Sequence, residues 1–268
     1  PARCDGTSLL GVLSGAVRAR KTHRLYFEYF ITSLTPSYPA FQASRRGRTR
    51  NQMQSVRLGD HVGVRYDVKS ANDNFEIYNV VTDPKETTNL ARDPAFTSLQ
   101  EKLKATALRA RRPDATSQRP YDEALVSALS PADIRAGLEW RAFAGPFPWV
   151  PDFASITPSA TGTSARPDPE STKMRDARGF LFAGLLVVPA DGEYTFHLTA
   201  DTGAVLRLHE ATLIDAAFGH AGGTEKSARI SLQAGAHPFL LSSFRADGDN
   251  SALKLEWSGP NLTRQLID

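Results

Sequence analysis

The second half of the chain has the sequence pattern of an antiparallel β fold. From about residue 135 to the C-terminus, short apolar runs alternate with turns rich in Gly, Asp and Asn, as in GFLFAGLLVVPADGEYTFHLTADTGAVLRLHEATLID at 179–215. Short, closely spaced runs of this kind are typical of the strands of a sandwich and do not fit helices. We therefore predict an all-β sandwich over residues 135–268.

The first part of the chain mixes strand and helix patterns. LYFEYF at 25–30 and FEIYNVV at 75–81 predict strands, and QSVRLGDHVGVRYDV at 54–68 predicts a hairpin that turns at Gly59-Asp60. We predict an α+β unit over residues 1–112, with a small antiparallel sheet and a C-terminal helix. Residues 113–134, which hold several prolines, are interpreted as a linker.

Two Asp-Pro pairs in this part have the pattern of helix starts. Asp83-Pro84 is followed by Glu86, so that Asp83 fits the N-cap and Glu86 completes a capping box. Asp93-Pro94 precedes a longer helix. Its apolar positions recur at helical spacing: Phe96, Leu99, Leu103, Ala107 and Ala110. We expect Pro113 to stop this helix, and we predict a further short helix around residues 121–129.

Composition restricts the class of protein. Of the 268 residues, 41% are hydrophobic, which suffices for a packed core. The longest apolar stretch, FLFAGLLVVP at 180–189, is too short for a transmembrane helix, so we expect no membrane span. Lys and Arg outnumber Asp and Glu by 19 to 10 in residues 1–113, which favours anionic partners there. No nucleic-acid-binding motif accompanies this charge, so we expect no nucleic acid.

Residues 75–91, FEIYNVVTDPKETTNLA, resemble a stretch of the sulfatase family's C-terminal subdomain. In that family a strand with Leu-Tyr-Asp-Leu leads into Asp-Pro-x-Glu-x-x-Asn-Leu-Ala. The matching residues are Ile77, Tyr78, Asn79, Asp83, Pro84, Glu86, Asn89, Leu90 and Ala91. Three further stretches are similar in the same order: DGTSLLGVLSG at 5–15, LYFEY at 25–29 and SVRLGDHVGVRYD at 55–67. The resemblance covers about residues 5–112.

This resemblance implies an activity that the chain does not carry by itself. Sulfatases are calcium-dependent sulfate-ester hydrolases whose formylglycine is made from the first residue of Cys/Ser-x-Pro-x-Arg, and Cys4 precedes Asp-Gly-Thr instead. The family's catalytic and metal-binding residues lie N-terminal to the matched stretches, so we assign no catalytic residue here. We expect the C-terminal part of an exported sulfatase, extracellular or periplasmic, whose partner is the catalytic domain of the same parent chain. Whether the chain is an enzyme stays open.

An arginine cluster lies between the first strand and the hairpin. Arg45, Arg46 and Arg48 occur in SRRGRTR at 44–50. A guanidinium group can donate two parallel hydrogen bonds to two oxygens of one sulfate. These three residues are therefore candidates for sulfate recognition. The alternative is a solvated surface loop, which is the commoner role of a charge run.

The second half resembles the β-sandwich lectin domain first described in anthrax protective antigen. That family has Phe-x-Gly-x-x-x-Val-Pro-x-x-Gly-x-Tyr-x-Phe, then Asp-Asp-Gly, Leu-x-Ala-Gly-x-His and Trp-x-Gly-Pro. The matching residues are Phe182, Gly184, Pro189, Gly192, Tyr194, Phe196, Asp201, Gly203, Leu232, Ala234, Gly235, His237, Trp257, Gly259 and Pro260. The resemblance spans about residues 135–268 and implies carbohydrate binding.

The same resemblance suggests a ligand site at Asp201-Thr202. Sugar-binding members hold a calcium with two adjacent aspartates, and calcium takes several oxygen ligands. Here Thr202 replaces the second aspartate, so Asp201 is a candidate for calcium and both residues are candidates for sugar. The alternative is a turn in which Asp201 caps the loop backbone. Residues 247–250, DGDN, offer further oxygen ligands or form a solvated loop.

These observations support two functions. The first is the C-terminal portion of a sulfatase with an appended carbohydrate-binding sandwich, acting on a sulfated or other carbohydrate. The second is a non-catalytic carbohydrate-binding or adhesion module with a sulfatase-like scaffold.

Overall fold

The computed structural model describes residues 13–15, 25–30, 32–114, 116–217, 221–245 and 252–268. The chain folds into two compact units. Among the described residues, the first unit comprises 13–111 and 116–124, and the second comprises 112–114 and 125–268. None of the helices in these ranges is long and apolar enough to cross a membrane.

The first unit contains an antiparallel sheet and a helix. The sheet has the order β1-β2-β3-β4. Its strands are β1 (Leu25–Tyr29), β2 (Met53–Leu58), β3 (His61–Arg65) and β4 (Glu76–Asn79), and the helix is α1 (Thr97–Ala110). The register pairs Leu58 with His61, which confirms the predicted hairpin turn at Gly59-Asp60.

Helix α1 packs on the sheet through its apolar stripe. Leu103 and Ala107 are fully buried in one cluster with Val56 and Ile77. Between the stripe and the sheet, the Gln100 side chain bonds the backbone next to β4. Its Oε1 accepts from the N–H of Phe75 at 2.8 Å, and its Nε2 donates to the same residue's carbonyl at 2.9 Å. The helix is therefore held by burial and by two buried hydrogen bonds.

The two Asp-Pro pairs have different outcomes. Asp93 accepts from the N–H of Ala95 at 2.9 Å and caps the 3₁₀ turn that leads into α1, so this prediction is confirmed. The predicted helix start at Asp83 is wrong. Asp83 Oδ2 accepts from the N–H groups of two following threonines, and Glu86 has a φ of +51°, which a right-handed helix does not continue.

The short helix predicted around 121–129 is also wrong. Residues 121–124 form turns, and Val126 and Leu129 form isolated β-bridges to Leu232 and Ala236. The N–H of Val126 donates to the carbonyl of Ser231 at 2.8 Å. Backbone pairing with the sandwich therefore replaces the local helical pattern of this segment.

A buried polar network holds residues 116–124 to the first sheet. The carboxylate of Glu28 on β1 accepts from Arg119 at 2.8 Å and from the Tyr121 hydroxyl. Asp122 accepts from Arg111, at the end of α1, at 2.8 Å. Both arginines are almost fully buried, so these carboxylates neutralise charges that are costly to bury alone.

The second unit is an antiparallel β-sandwich, as predicted. One sheet has the order β10-β9-β12-β7-β5-β6 and the other the order β11-β8-β13-β14. The strands are β5 (Leu138–Phe143), β6 (Ala160–Ser164), β7 (Gly179–Val188), β8 (Gly192–Ala200), β9 (Gly203–Leu208), β10 (Ala211–Ala216), β11 (Glu225–Leu232), β12 (Gly235–Phe244), β13 (Leu253–Gly259) and β14 (Leu262–Leu266).

Alternate residues of the strands build the core of the sandwich. On β8 every second side chain is buried, and Tyr194 stacks on Trp257 of β13 with ring centroids 5.4 Å apart. On β7, Phe180 and Phe182 are fully buried. Each such side chain contributes roughly 1.5–3 kcal/mol by burial.

Strand register brings several connections to one end of the sandwich. Gly179 at the start of β7 pairs with Phe143 and Phe244, and Phe244 pairs with Gly203 at the start of β9. In the other sheet, the end of β8 pairs with the start of β13. We call this the loop end. It comprises residues 144–159, 201–202, 221–224, 245 and 252.

Candidate functional site

The turn between β8 and β9 is the centre of the loop end. Asp201 bonds the start of β13 twice: its N–H donates to the carbonyl of Ala252 at 3.2 Å, and its Oδ2 accepts from the N–H of Ala252 at 2.7 Å. Among the described residues, no donor bonds Oδ1. The Asp201 carboxylate is therefore partly committed to the fold, with one oxygen left for a ligand.

A shallow pocket adjoins this turn. Its described lining includes Phe180, Thr202, Ser243 and Leu253, and its enclosed part holds about one water molecule. The hydroxyls of Thr202 and Ser243 are buried and have no hydrogen-bond partner in the described ranges. A buried hydroxyl without a partner costs about 1–3 kcal/mol, so a polar group no larger than a water molecule would be stabilised by bonding to either one.

Arg245 forms one wall of the pocket. Its Nε donates to the carbonyl of Ala177 at 2.7 Å, and its Nη2 donates to the carbonyls of Met174 at 2.8 Å and Arg175. The guanidinium also lies 5.2 Å from the ring centre of Phe180. These contacts fix the segment before β7 against the end of β12.

Sequence reasoning placed Asp201 and Thr202 at this site but did not find Ser243 or Arg245. Ser243 is an ordinary polar residue near the end of a strand, and Arg245 opens what reads as a charged loop. Their roles depend on long-range pairing, which no local pattern shows. Asp247, Asp249 and Asn250, the further candidate ligands, lie outside the described residues.

The oxygen atoms that line the pocket can be compared with the ligands that calcium requires. Calcium takes six to eight oxygens, usually with several carboxylates. The described pocket supplies one carboxylate, that of Asp201, together with two hydroxyls and the cation of Arg245. No group of three or more His, Cys, Asp or Glu suited to a metal occurs within the described ranges. These groups supply fewer oxygen ligands than calcium usually has in proteins. Calcium binding at Asp201 stays a prediction.

The three arginines proposed for sulfate lie in the first unit and bond different partners. Arg45 donates to the carbonyl of Glu86 at 2.6 Å. Arg46 donates to the carbonyl of Phe41 at 2.8 Å and to that of Pro39. Each guanidinium thus has a structural contact.

Arg48 takes part in a small ionic network on the face of the sheet opposite α1. It donates to Glu76 at 2.8 Å and stacks 3.9 Å from the ring centre of Tyr66. Burial and the hydrogen bond to Glu76 raise the pKa of Tyr78 to about 12. Burial opposes ionisation of Glu76, but hydrogen bonds from Arg48 and Tyr78 lower its pKa below the ordinary range. Sulfate recognition by Arg45, Arg46 and Arg48 stays a prediction.

Three solved structures that resemble the chain each match about half of it. An anti-sigma factor domain-containing protein from Clostridium clariflavum is 25% identical, with a TM-score of 0.40, over 52% of this chain and 48% of that chain. The chain therefore spans about half the length of that relative. The PA14 sugar-binding domain from an RTX adhesin is 14% identical, with a TM-score of 0.40, over 49% of this chain and 94% of that domain.

A third structure is the epithelial adhesin 9 A domain from Candida glabrata in complex with Galβ1-3GlcNAc. It is 10% identical, with a TM-score of 0.38, over 51% of this chain and 87% of that domain. TM-scores this low do not support the assignment of a family or a function. No curated protein matches the chain significantly.

The assignment rests on a sequence profile. Residues 135–268, half of the chain, match the profile of the PA14 domain. This is the range over which the sequence resembles the protective-antigen sandwich, so that resemblance is confirmed. The chain belongs to the PA14 domain family.

Proposed function

We propose that the sandwich is a carbohydrate-binding module whose ligand contacts the loop end at Asp201. The observation that carries this proposal is the grouping of one carboxylate with the buried hydroxyls of Thr202 and Ser243, which have no partner among the described residues. Sugar hydroxyls both donate and accept hydrogen bonds. They complement a carboxylate that only accepts and hydroxyls that do both.

Binding is a better account of this pocket than hydrolysis. Glycoside hydrolysis usually requires a pair of carboxyl groups flanking the scissile bond. The described lining of the pocket contains a single one, Asp201. Leu253, which is partly exposed, adds apolar surface for the C–H groups of a sugar, as is usual in ligand sites.

A glycan array with matched variants tests the proposal. Asp201→Asn keeps the shape of the side chain but removes the charge. Asp191→Asn is the control, because Asp191 lies in the turn at the opposite end of the sandwich and accepts from the N–H of Ala234 at 2.6 Å, as Asp201 accepts from Ala252. We expect wild type and Asp191→Asn to retain the same glycans and Asp201→Asn to lose them. Equal retention by both variants would refute the site.

We further propose that the first unit is the C-terminal subdomain of a sulfatase. The supporting observation is that residues of the matching motif hydrogen-bond one another, including Ile77 and Asn89, which are 12 positions apart in the sequence. Asn89 Oδ1 accepts from the N–H groups of Ile77 at 3.0 Å and Ala91 at 3.0 Å, and the N–H of Leu90 donates to the carbonyl of Ile77 at 2.8 Å. The motif is therefore a structural clasp between β4 and the segment before α1.

On this proposal the parent is an extracellular or periplasmic sulfate-ester hydrolase, and its catalytic domain is the partner of this chain. A tethered lectin would raise the local concentration of a glycan substrate. Mass spectrometry of the native protein tests the parentage. A mass well above 29.2 kDa with a Cys/Ser-x-Pro-x-Arg peptide is the expected result. A native chain of 29.2 kDa would leave only the binding module.

A further inference from the structure

The loop between β5 and β6 presents an exposed tryptophan. In the stretch GPFPWVP at 145–151, Val150 is fully buried and Phe147 meets the ring of Phe153 edge-on at 5.8 Å. Trp149, directly before Val150, is 42% exposed. Its indole has no ring contact with another described aromatic or cationic side chain.

Packing of this loop places Trp149 at the loop end. Phe143 at the end of β5 stacks on Phe153 with ring centroids 4.3 Å apart. Both belong to one buried cluster with Val150, Val205 and Ala217. Val205 lies three residues after Thr202 on β9, so the loop folds back over the strands that leave the candidate site.

The conformation of the loop is set before any ligand binds. Prolines at 146, 148 and 151 restrict the backbone on both sides of Trp149. Buried Val150 and Phe153, with Phe147 partly buried against them, anchor it to the sandwich. A ligand that contacts the indole therefore pays little for ordering the loop, which is the advantage of a preorganised site.

We propose that Trp149 is a stacking platform for one sugar ring of an oligosaccharide that binds at Asp201 through another of its sugar residues. The inference rests on the proposed carbohydrate-binding function and extends it to an oligosaccharide. The Trp149 loop follows β5, and the Asp201 turn precedes β9. These two strands are three strand spacings apart, about 14 Å, which exceeds the length of a single sugar residue. The apolar face of a pyranose ring matches an exposed indole face, whose burial is favourable.

Intrinsic fluorescence gives a direct probe. The three tryptophans all lie in the sandwich unit, and Trp140 and Trp257 are 9% and 7% exposed, so a soluble quencher reaches mainly Trp149. We expect oligosaccharides retained on the array to protect this tryptophan from acrylamide. Trp149→Ala should weaken oligosaccharide binding about tenfold, and Trp149→Phe should weaken it less.

Val187→Ala is the matched control, because Val187 is an exposed apolar residue at the opposite end of the sandwich. Equal affinity of Trp149→Ala and Val187→Ala would overturn the platform, while loss in Asp201→Asn would still support the proposed function. Absence of glycan binding by the wild type would overturn both. If Trp149→Ala lowers the melting temperature, the test uses Trp149→Phe and Trp149→Leu instead. A stacking platform requires that Trp149→Phe binds the oligosaccharide more tightly than Trp149→Leu.

Discussion

Arg245 allows the structure to be tested by a single substitution. Arg245→Met keeps an apolar stem of similar length but removes every donor. Three backbone carbonyls between residues 174 and 177 lose the guanidinium, two of them bonded at 2.7 and 2.8 Å. The exposed Glu170, 3.4 Å away, adds little.

The expected cost follows from these contacts. A hydrogen bond to a charged group contributes about 1.5–3 kcal/mol, and the contact with the Phe180 ring about 0.5–1 kcal/mol. Partial rehydration of the carbonyls reduces the sum. We expect Arg245→Met to lower the free energy of unfolding of the sandwich by about 3 kcal/mol. Arg245→Lys, which keeps the charge but not the planar fork, should cost less.

Urea unfolding followed by tryptophan fluorescence measures this cost, because Trp140, Trp149 and Trp257 all report on the sandwich unit. The control is Arg229→Met. Arg229 is 65% exposed and lies 3.4 Å from Glu193, so its loss should cost less than about 0.5 kcal/mol. Equal costs for Arg245→Met and Arg229→Met would refute the role assigned to the buried guanidinium.

Three other predictions concern separate parts of the molecule. Gln100→Leu removes the hydrogen bonds that the Gln100 side chain makes with the backbone N–H and carbonyl of Phe75. It should destabilise the first unit by about 2 kcal/mol, measured by hydrogen exchange of β4. Gly222→Ala puts a Cβ 2.6 Å from the carbonyl oxygen of Asp201 and should weaken glycan retention, measured by titration of a retained glycan. The lowered pKa of Glu76 means that its contribution to stability is present above its ordinary value of 4.5 and is lost as pH falls below it. Arg48→Gln should therefore reduce the acid-induced loss of stability, followed by tyrosine fluorescence between pH 7 and pH 3; an unchanged pH profile would contradict the assignment.

Local sequence signals predicted much of the architecture. The Gly59-Asp60 turn and the Asp93-Pro94 cap were found because both depend on residues adjacent in the chain. The sandwich was found because short apolar runs alternate with turns rich in Gly, Asp and Asn. Asp83 shows the limit of this reasoning: its capping pattern is satisfied by a closed turn instead, because Glu86 adopts a left-handed conformation.

The candidate site was only partly predictable. Asp201 and Thr202 were identified by resemblance, whereas Ser243 and Arg245 reach the same pocket from the end of β12 and just beyond it. Their positions follow from the pairing of β12 with β7 and β9. Sequence periodicity fixes which face of a strand is buried, but it does not say which strands become neighbours.

The central claim is that glycans bind at the loop end, and backbone amide mapping tests it most directly. Amide chemical shifts of the full chain would be recorded with and without a glycan retained on the array. We expect shifts confined to 149–150, 201–203, 221–224 and 252–253. Shifts centred on the first unit, or at the opposite end of the sandwich around 189–191 and 233–235, would contradict the claim.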